Sequence, residues 1–144
     1  MARQKSGFEK LVVYALTEEL ADAIWRGCRT WPPLDRDTVG RQLIRAADSV
    51  GANIAEGYGR GTRADNRRRV RIAIGSLYET KHWLRRAFRR DLLTGDQTDA
   101  LRPILEKLLP MLNGYYRSLN ARDAPTKTQD EQPTTHNLQP TTHE

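Results

Sequence analysis

Cysteine is almost absent from this chain of 144 residues: Cys28 stands alone. A single thiol excludes an intrachain disulfide framework. No run of about 18 apolar residues occurs, so no membrane-spanning helix is expected. The first seven residues, Met1 to Gly7, carry charge with no apolar stretch behind it, so they do not read as a secretory leader. Together these absences point to a reducing cytoplasm. Period-two alternation of apolar and polar residues is also missing, which argues against a sheet. Nucleophile motifs and metal-ligand clusters are lacking too. Gly57-Tyr58-Gly59-Arg60-Gly61-Thr62 looks superficially like a phosphate loop, but it joins two helical segments and has no lysine. These gaps predict a protein with no catalytic residues, no metal and no cofactor.

What is present is helical spacing, four times over. The first segment runs from about Phe8 to Cys28, with Phe8, Leu11, Val12, Ala15, Leu16, Leu20, Ala23 and Ile24 as its apolar side. Trp31-Pro32-Pro33 ends it, because proline removes a donor and restrains its predecessor. The second segment starts near Asp37 or Thr38, either a suitable N-cap. Its narrow apolar line is Leu43, Ala47, Val50 and Ile54, and Gly57 and Gly59 are read as its stop. Thr62-Arg63-Ala64-Asp65 opens the third segment as a capping box with Asp in place of Glu. That segment reaches about Asp91, with Val70, Ala73, Leu77, Leu84 and Phe88 as core positions and Thr80 among them. The fourth opens at Thr94 or Asp96 and ends near Leu119. Leu101, Ile104, Leu108, Met111 and Tyr115 form its line, widened by Leu105, Leu112 and Leu119. Pro103 and Pro110 lie seven apart and so share the outward face. Four helices with short joints predict an all-α, up-down-up-down antiparallel four-helix bundle.

The bundle is expected over residues 8–119, behind a flexible stretch of residues 1–7. From Asn120 to Glu144 the only apolar residues are Ala121, Ala124 and Leu138, and Pro-Thr-Thr-His occurs twice. Such a segment cannot offset its ordering entropy by burial and reads as a disordered low-complexity tail. His136 and His143, seven apart in it, make a weak metal site at best.

Net charge is +6, and its distribution is uneven. Between Arg60 and Arg90 stand ten arginines and one lysine against Asp65 and Glu79 alone. On a wheel of about 100° per residue, helix three has three faces. The core stripe is one. A second carries Ile72, Ser76, Glu79 and Trp83, bordered by Arg68 and Arg86. Exposed apolar bulk there suggests an oligomer interface through Ile72, Trp83 and Arg86, the bland alternative being a wide core that reaches Trp83. The third carries Arg67, Arg71, Tyr78, His82, Arg85 and Arg89. With Arg60 and Arg63 it forms a candidate nucleic-acid surface: arginines for phosphates, Tyr78 and His82 for stacking on unpaired bases. The competing reading is a solvated face that keeps the protein soluble.

On helix two, Ser49, Asn53 and Glu56 fall along one flank of the core line, four and three apart. Ala46, Ala47, Gly51, Ala52 and Ala55 leave room for a neighbouring backbone. Helix three offers Gly75-Ser76 and Glu79. These residues predict a polar seam of Ser49, Asn53, Glu56, Ser76 and Glu79 where the two helices cross, helped by Arg45 or Arg60. Glu56 and Glu79 as a catalytic acid and base are disfavoured, because no pocket-forming constellation accompanies them.

Taken in order, these residues resemble the four-helix-bundle proteins encoded by intervening sequences in bacterial 23S ribosomal RNA genes. The resemblance spans about Phe8 to Leu119. It rests on Phe8, Leu11 and Tyr14, on Trp31-Pro32, and on Gln42-Leu43-Ile44-Arg45-Ala46-Ala47. Ser49, Asn53-Ile54-Ala55-Glu56-Gly57 and Arg60 follow, then Ile72-Ala73, Gly75-Ser76-Leu77 and Glu79. It implies a closed homopentamer and a basic protein associated with nucleic acid. The accessory protein of diversity-generating retroelements looks like a relative, which implies a reverse transcriptase and its RNA as an alternative partner. A structural oligomer without a nucleic-acid ligand is the third possibility. Departures lie on helix three: Asn66 and Arg69 replace the family's usual early aromatics, and Lys81 stands where a second acid is usual. The expectation is a non-enzymatic RNA-binding oligomer, with Arg67, Arg71, Arg85 and Arg89 as phosphate contacts.

Overall fold

The computed structural model describes residues 7–121, and every regular element among them is helical. Four long helices make up the fold: α1 (Val12–Cys28), α2 (Arg41–Gly59), α3 (Arg63–Arg89) and α4 (Gly95–Ala121). Helix α1 rests on α2 and α4, and α3 rests on α2 and α4, so the four close around one core. Leu20, Leu43, Val50, Ile54, Val70, Leu77, Leu108 and Leu112 are fully buried there. Each such aliphatic side chain contributes roughly 1.5–3 kcal/mol by leaving water. Among the described residues the α2–α3 packing is the most extensive. Pro103 and Pro110 are both exposed on α4, on the outward side, so neither interrupts the core line.

The expected face of α1 is rotated by one position. The buried line is Val13, Thr17, Leu20, Ile24 and Cys28, whereas Val12 is 65% exposed and Ala15 is also outside. Counting only apolar residues passed over Thr17. Its hydroxyl donates to the Tyr14 carbonyl at 2.6 Å, which satisfies the group and lets it enter the core. Upstream, Gly7–Lys10 forms a 3-10 turn, and Phe8 meets Tyr14 edge-on with ring centroids 4.9 Å apart.

Neither Asp37 nor Thr38 caps α2. The chain is helical from Pro33, with a turn at Pro33–Asp35 and a π-helical stretch at Arg36–Gly40 leading into α2. Pro33 opens this run, where its missing N–H costs nothing. Asp37 instead accepts from Arg36, and Thr38 donates to the Leu34 carbonyl at 2.7 Å.

The caps of the later helices follow side-chain chemistry. The Thr62 hydroxyl accepts from the Asp65 amide at 3.1 Å and starts α3. Helix α3 ends with Asp91 in the left-handed region (φ 58°), where the Leu92 amide donates to the Ala87 carbonyl and the Asp91 amide to that of Phe88. This pairing is the Schellman pattern, with aspartate in the place glycine usually takes. A reciprocal box between Thr94 and Gln97 then begins α4.

Phe88 is not a core residue. It is 57% exposed, and Ala87 occupies the buried position. The Schellman turn folds Leu92 and Leu93 back against the core at this end of α3.

Candidate nucleic-acid interface

Helix α3 is held by its crossing with α2, and that crossing is polar on one side. The Ser49 and Ser76 hydroxyls meet at 2.8 Å. Asn53 donates to the Ser49 carbonyl at 2.8 Å and to its hydroxyl at 3.0 Å. Arg69 reaches across from α3, donating to the Asn53 side-chain oxygen at 3.4 Å and pairing with Glu56 at 3.2 Å. Arg60 lies 3.8 Å from the same Glu56 oxygen. Four of the five expected seam residues therefore join, and Glu79 does not. Its carboxylate accepts instead from the Trp83 indole nitrogen, one turn along α3, at 3.2 Å. Of the two cations expected there, Arg60 reaches Glu56 and Arg45 has no described seam contact; the shorter pairing comes from Arg69, on the facing helix. The signal for it was present: Arg69 falls near Ser76 on the wheel, at the edge of the core stripe.

Close approach makes the seam possible. Gly57 is not a helix stop, since α2 continues through it to Gly59. A Cβ at Gly57 would sit 2.8 Å from that of Arg69 and 2.7 Å from the Asn66 side-chain oxygen. The left-handed glycine of the joint is Gly61, with φ 94°. Gly51 serves α1 instead, because a Cβ there would meet the Thr17 hydroxyl at 2.7 Å. Gly75 faces open space and has no role in the crossing.

With the seam and core on its inner sides, α3 turns its arginines outward. Arg71, Tyr78, His82, Arg85 and Arg89 are exposed, and Arg67 is half-buried. From Arg67 to Arg89 the stripe extends about 33 Å at the helical rise. Arg71 lies over the Tyr116 ring of α4, 5.8 Å from its centroid, which orients that guanidinium while leaving it exposed. Tyr78 is 55% exposed, with the Lys81 ammonium 5.7 Å from its ring centroid. His82 packs edge-on against Trp83 at 4.8 Å. Arg60 and Arg63 continue the basic run at the exposed start of α3. Among the described residues no carboxylate pairs with Arg85 or Arg89.

The neighbouring face carries Ile72, 41% exposed, with Trp83 and Arg86 half-buried. Trp83 packs partly against the core, so the core does wrap toward it and less apolar surface is left open than the wheel suggested.

Other chemistry is sparse. Cys28 is 1% exposed, and burial pushes its thiol up to about 11, which leaves it a packing group at neutral pH. Among the described residues no group of three or more His, Cys, Asp and Glu is placed to hold one metal ion. No helix among them is long and apolar enough to cross a membrane. His136 and His143, and the tail beyond Ala121, lie outside the described residues.

A family model described as 23S rRNA-intervening sequence protein matches residues 9–114. Among solved structures, the chain is similar to the crystal structure of a protein with unknown function from the S23 ribosomal protein family of Bacteroides thetaiotaomicron VPI-5482. The two share 24% sequence identity at a TM-score of 0.65, over 74% of this chain and 96% of that one. At that identity the likeness speaks to the fold. No curated protein matches the chain.

Proposed function

The chain belongs to the 23S rRNA-intervening sequence protein family, and on that footing we propose that it is a non-enzymatic RNA-binding protein of the cytoplasm. The observation that carries the reading is the outer stripe of α3, where Arg71, Arg85 and Arg89 stand exposed beside Tyr78 and His82. Arginine suits this task because its planar fork matches phosphate oxygens and is charged at any physiological pH. Tyr78 offers a π-face to an unpaired base. The up-down-up-down bundle assembles as a homo-oligomer, a pentamer by resemblance, through the Ile72, Trp83 and Arg86 face. That arrangement repeats the stripe around the assembly and multiplies weak phosphate contacts.

A second reading has one observation in its favour. Phe88 stands exposed beside Leu84, Leu93, Leu101 and Leu105 at a groove of about 420 Å³ between α3 and α4. An apolar groove of this kind suits a protein partner, as an adaptor for a reverse transcriptase would require.

Salt-dependent RNA binding separates the two. The logarithm of the association constant falls with the logarithm of salt by about 0.7 per phosphate contacted on a single strand. Replacing Arg71, Arg85 and Arg89 together by Glu is expected to abolish most binding and to flatten that slope by about 2. Unchanged affinity in fluorescence anisotropy refutes the stripe as the binding surface.

A further inference from the structure

A second basic site exists that no single helix face reveals. The chain leaves α1, turns at Trp31, and returns through Pro33–Gly40 into α2. This reversal gathers arginines from three elements around one indole. Trp25, near the end of α1, is 51% exposed. Beside it lies a cavity of about 260 Å³, lined by Trp25, Arg29, Arg36, Arg41, Ile44 and Arg45. Asp37 is the one acid on its wall, and it is bonded to Arg36 at 3.4 Å. Among the described residues no carboxylate pairs with Arg29, Arg41 or Arg45.

An open tryptophan ringed by unpaired guanidinium groups has a definite chemical complement. The indole face calls for a planar aromatic ring, and the arginines call for a phosphate, whose oxygens each accept charge-assisted hydrogen bonds. Ligands of drug size take pockets of roughly 300–1,000 Å³, so this one suits a smaller unit. A nucleotide within a single strand joins both features, because its base and its phosphate are covalently linked. An apolar protein surface would leave the guanidinium groups desolvated without partners, which is costly.

We infer that this cavity seats one nucleotide of single-stranded RNA, with its base on Trp25 and its phosphate held by Arg29, Arg41 and Arg45. The inference rests on the RNA-binding reading above but uses none of the α3 stripe. It adds a contact made by α1 and α2. The strand it holds is unpaired, since a base within a duplex has no free face to offer.

The test uses the full chain and a short fluorescein-labelled oligouridine RNA, followed by anisotropy at graded salt. Stacking on one aromatic side chain is worth roughly five- to hundredfold in affinity. Trp25→Ala is therefore expected to weaken binding about tenfold with the salt slope unchanged, and Trp25→Phe to restore most of the loss. Changing Arg29, Arg41 and Arg45 together to Glu is expected to weaken binding and to flatten the slope by about 0.7, since the three arginines share one phosphate. Circular dichroism checks that each variant keeps its helix content. Acrylamide quenching of the wild-type chain gives an independent reading, since Trp31 is buried and Trp83 half-buried, which leaves Trp25 the most accessible indole. RNA is expected to protect it.

Wild-type affinity in both pocket variants, or quenching that RNA leaves unchanged, overturns the inference. If the α3 stripe variant alone loses binding, the pocket fails and the stripe stands. If the pocket variants lose binding and the stripe variant does not, the reverse holds. A wild-type chain that binds no RNA removes both.

Discussion

Asp48 on α2 and Asp22 on α1 line the same shallow cleft, beside Gly51 and Thr17. Partial burial raises the Asp48 carboxyl above its ordinary value of 3.8, and the Asp22 charge raises it further. The folded chain thus holds this proton more tightly than the unfolded one does, so ionising Asp48 destabilises the fold. The penalty is absent below pH 3.8, where the group is protonated in both states, and it grows as pH rises through the raised value. Asp48→Asn is expected to melt at a higher temperature than wild type at pH 7 and at the same temperature near pH 3. Coincident melting curves at pH 7 argue against this account. Arg69 shows the same dependence on surroundings: its charge was plain from composition, but only the Glu56 carboxylate opposite it makes it a structural cation.

At the scale of elements, the crossing of α2 and α3 is set by what is missing at Gly57. Packed interiors do not yield easily to one added methyl group, and overpacking typically costs about 1–3 kcal/mol. At Gly57 that methyl would contact the Asn66 carbonyl oxygen at 3.2 Å as well as the Arg69 Cβ, so backbone must shift and not only a flexible tip. Gly57→Ala is expected to destabilise the chain by about 1–3 kcal/mol in urea denaturation. Gly75→Ala is the matched control: it meets nothing within 4 Å, and in mid-helix alanine is favoured over glycine by roughly 1 kcal/mol. Equal stability losses in the two variants contradict the close-approach role. In the sequence a close-packing glycine such as Gly57 looks the same as a helix stop, and only the neighbouring helix distinguishes the two uses.

At the scale of the whole molecule, charge and apolar exposure divide between faces. The arginine stripe runs along the outside of α3, Ile72 lies on the neighbouring face, and Trp25 with its arginines sits at the α1–α2 joint. The proposed oligomer has one direct consequence for mass. Light scattering of the wild-type chain is expected to give five times the 16.5 kDa of one chain. Ile72→Glu is expected to lower that mass, because it places a charge in a buried contact. A monomeric wild type, or a variant of undiminished mass, refutes assembly through this face. Ile72 is the better probe than Trp83, whose ring also contributes to the core.

Helix number, the α3 cap at Thr62 and most of the α2, α3 and α4 core lines were legible in the residues alone. Helical periodicity and capping depend on neighbours within a turn or two, and those are written consecutively. The Ser49–Ser76 contact was legible too, because small polar residues on two adjacent helices had few other places to go. What the tertiary structure decided was the exact direction of each helix face and most of the encounters between helices. The entry of Thr17 into the core, the exit of Phe88 from it and the reach of Arg69 to Glu56 depend on how far each joint turns the next helix. So does the gathering of Arg29, Arg36, Arg41 and Arg45 around Trp25. Those turns are set by packing between residues distant in the chain, which a one-dimensional pattern does not contain.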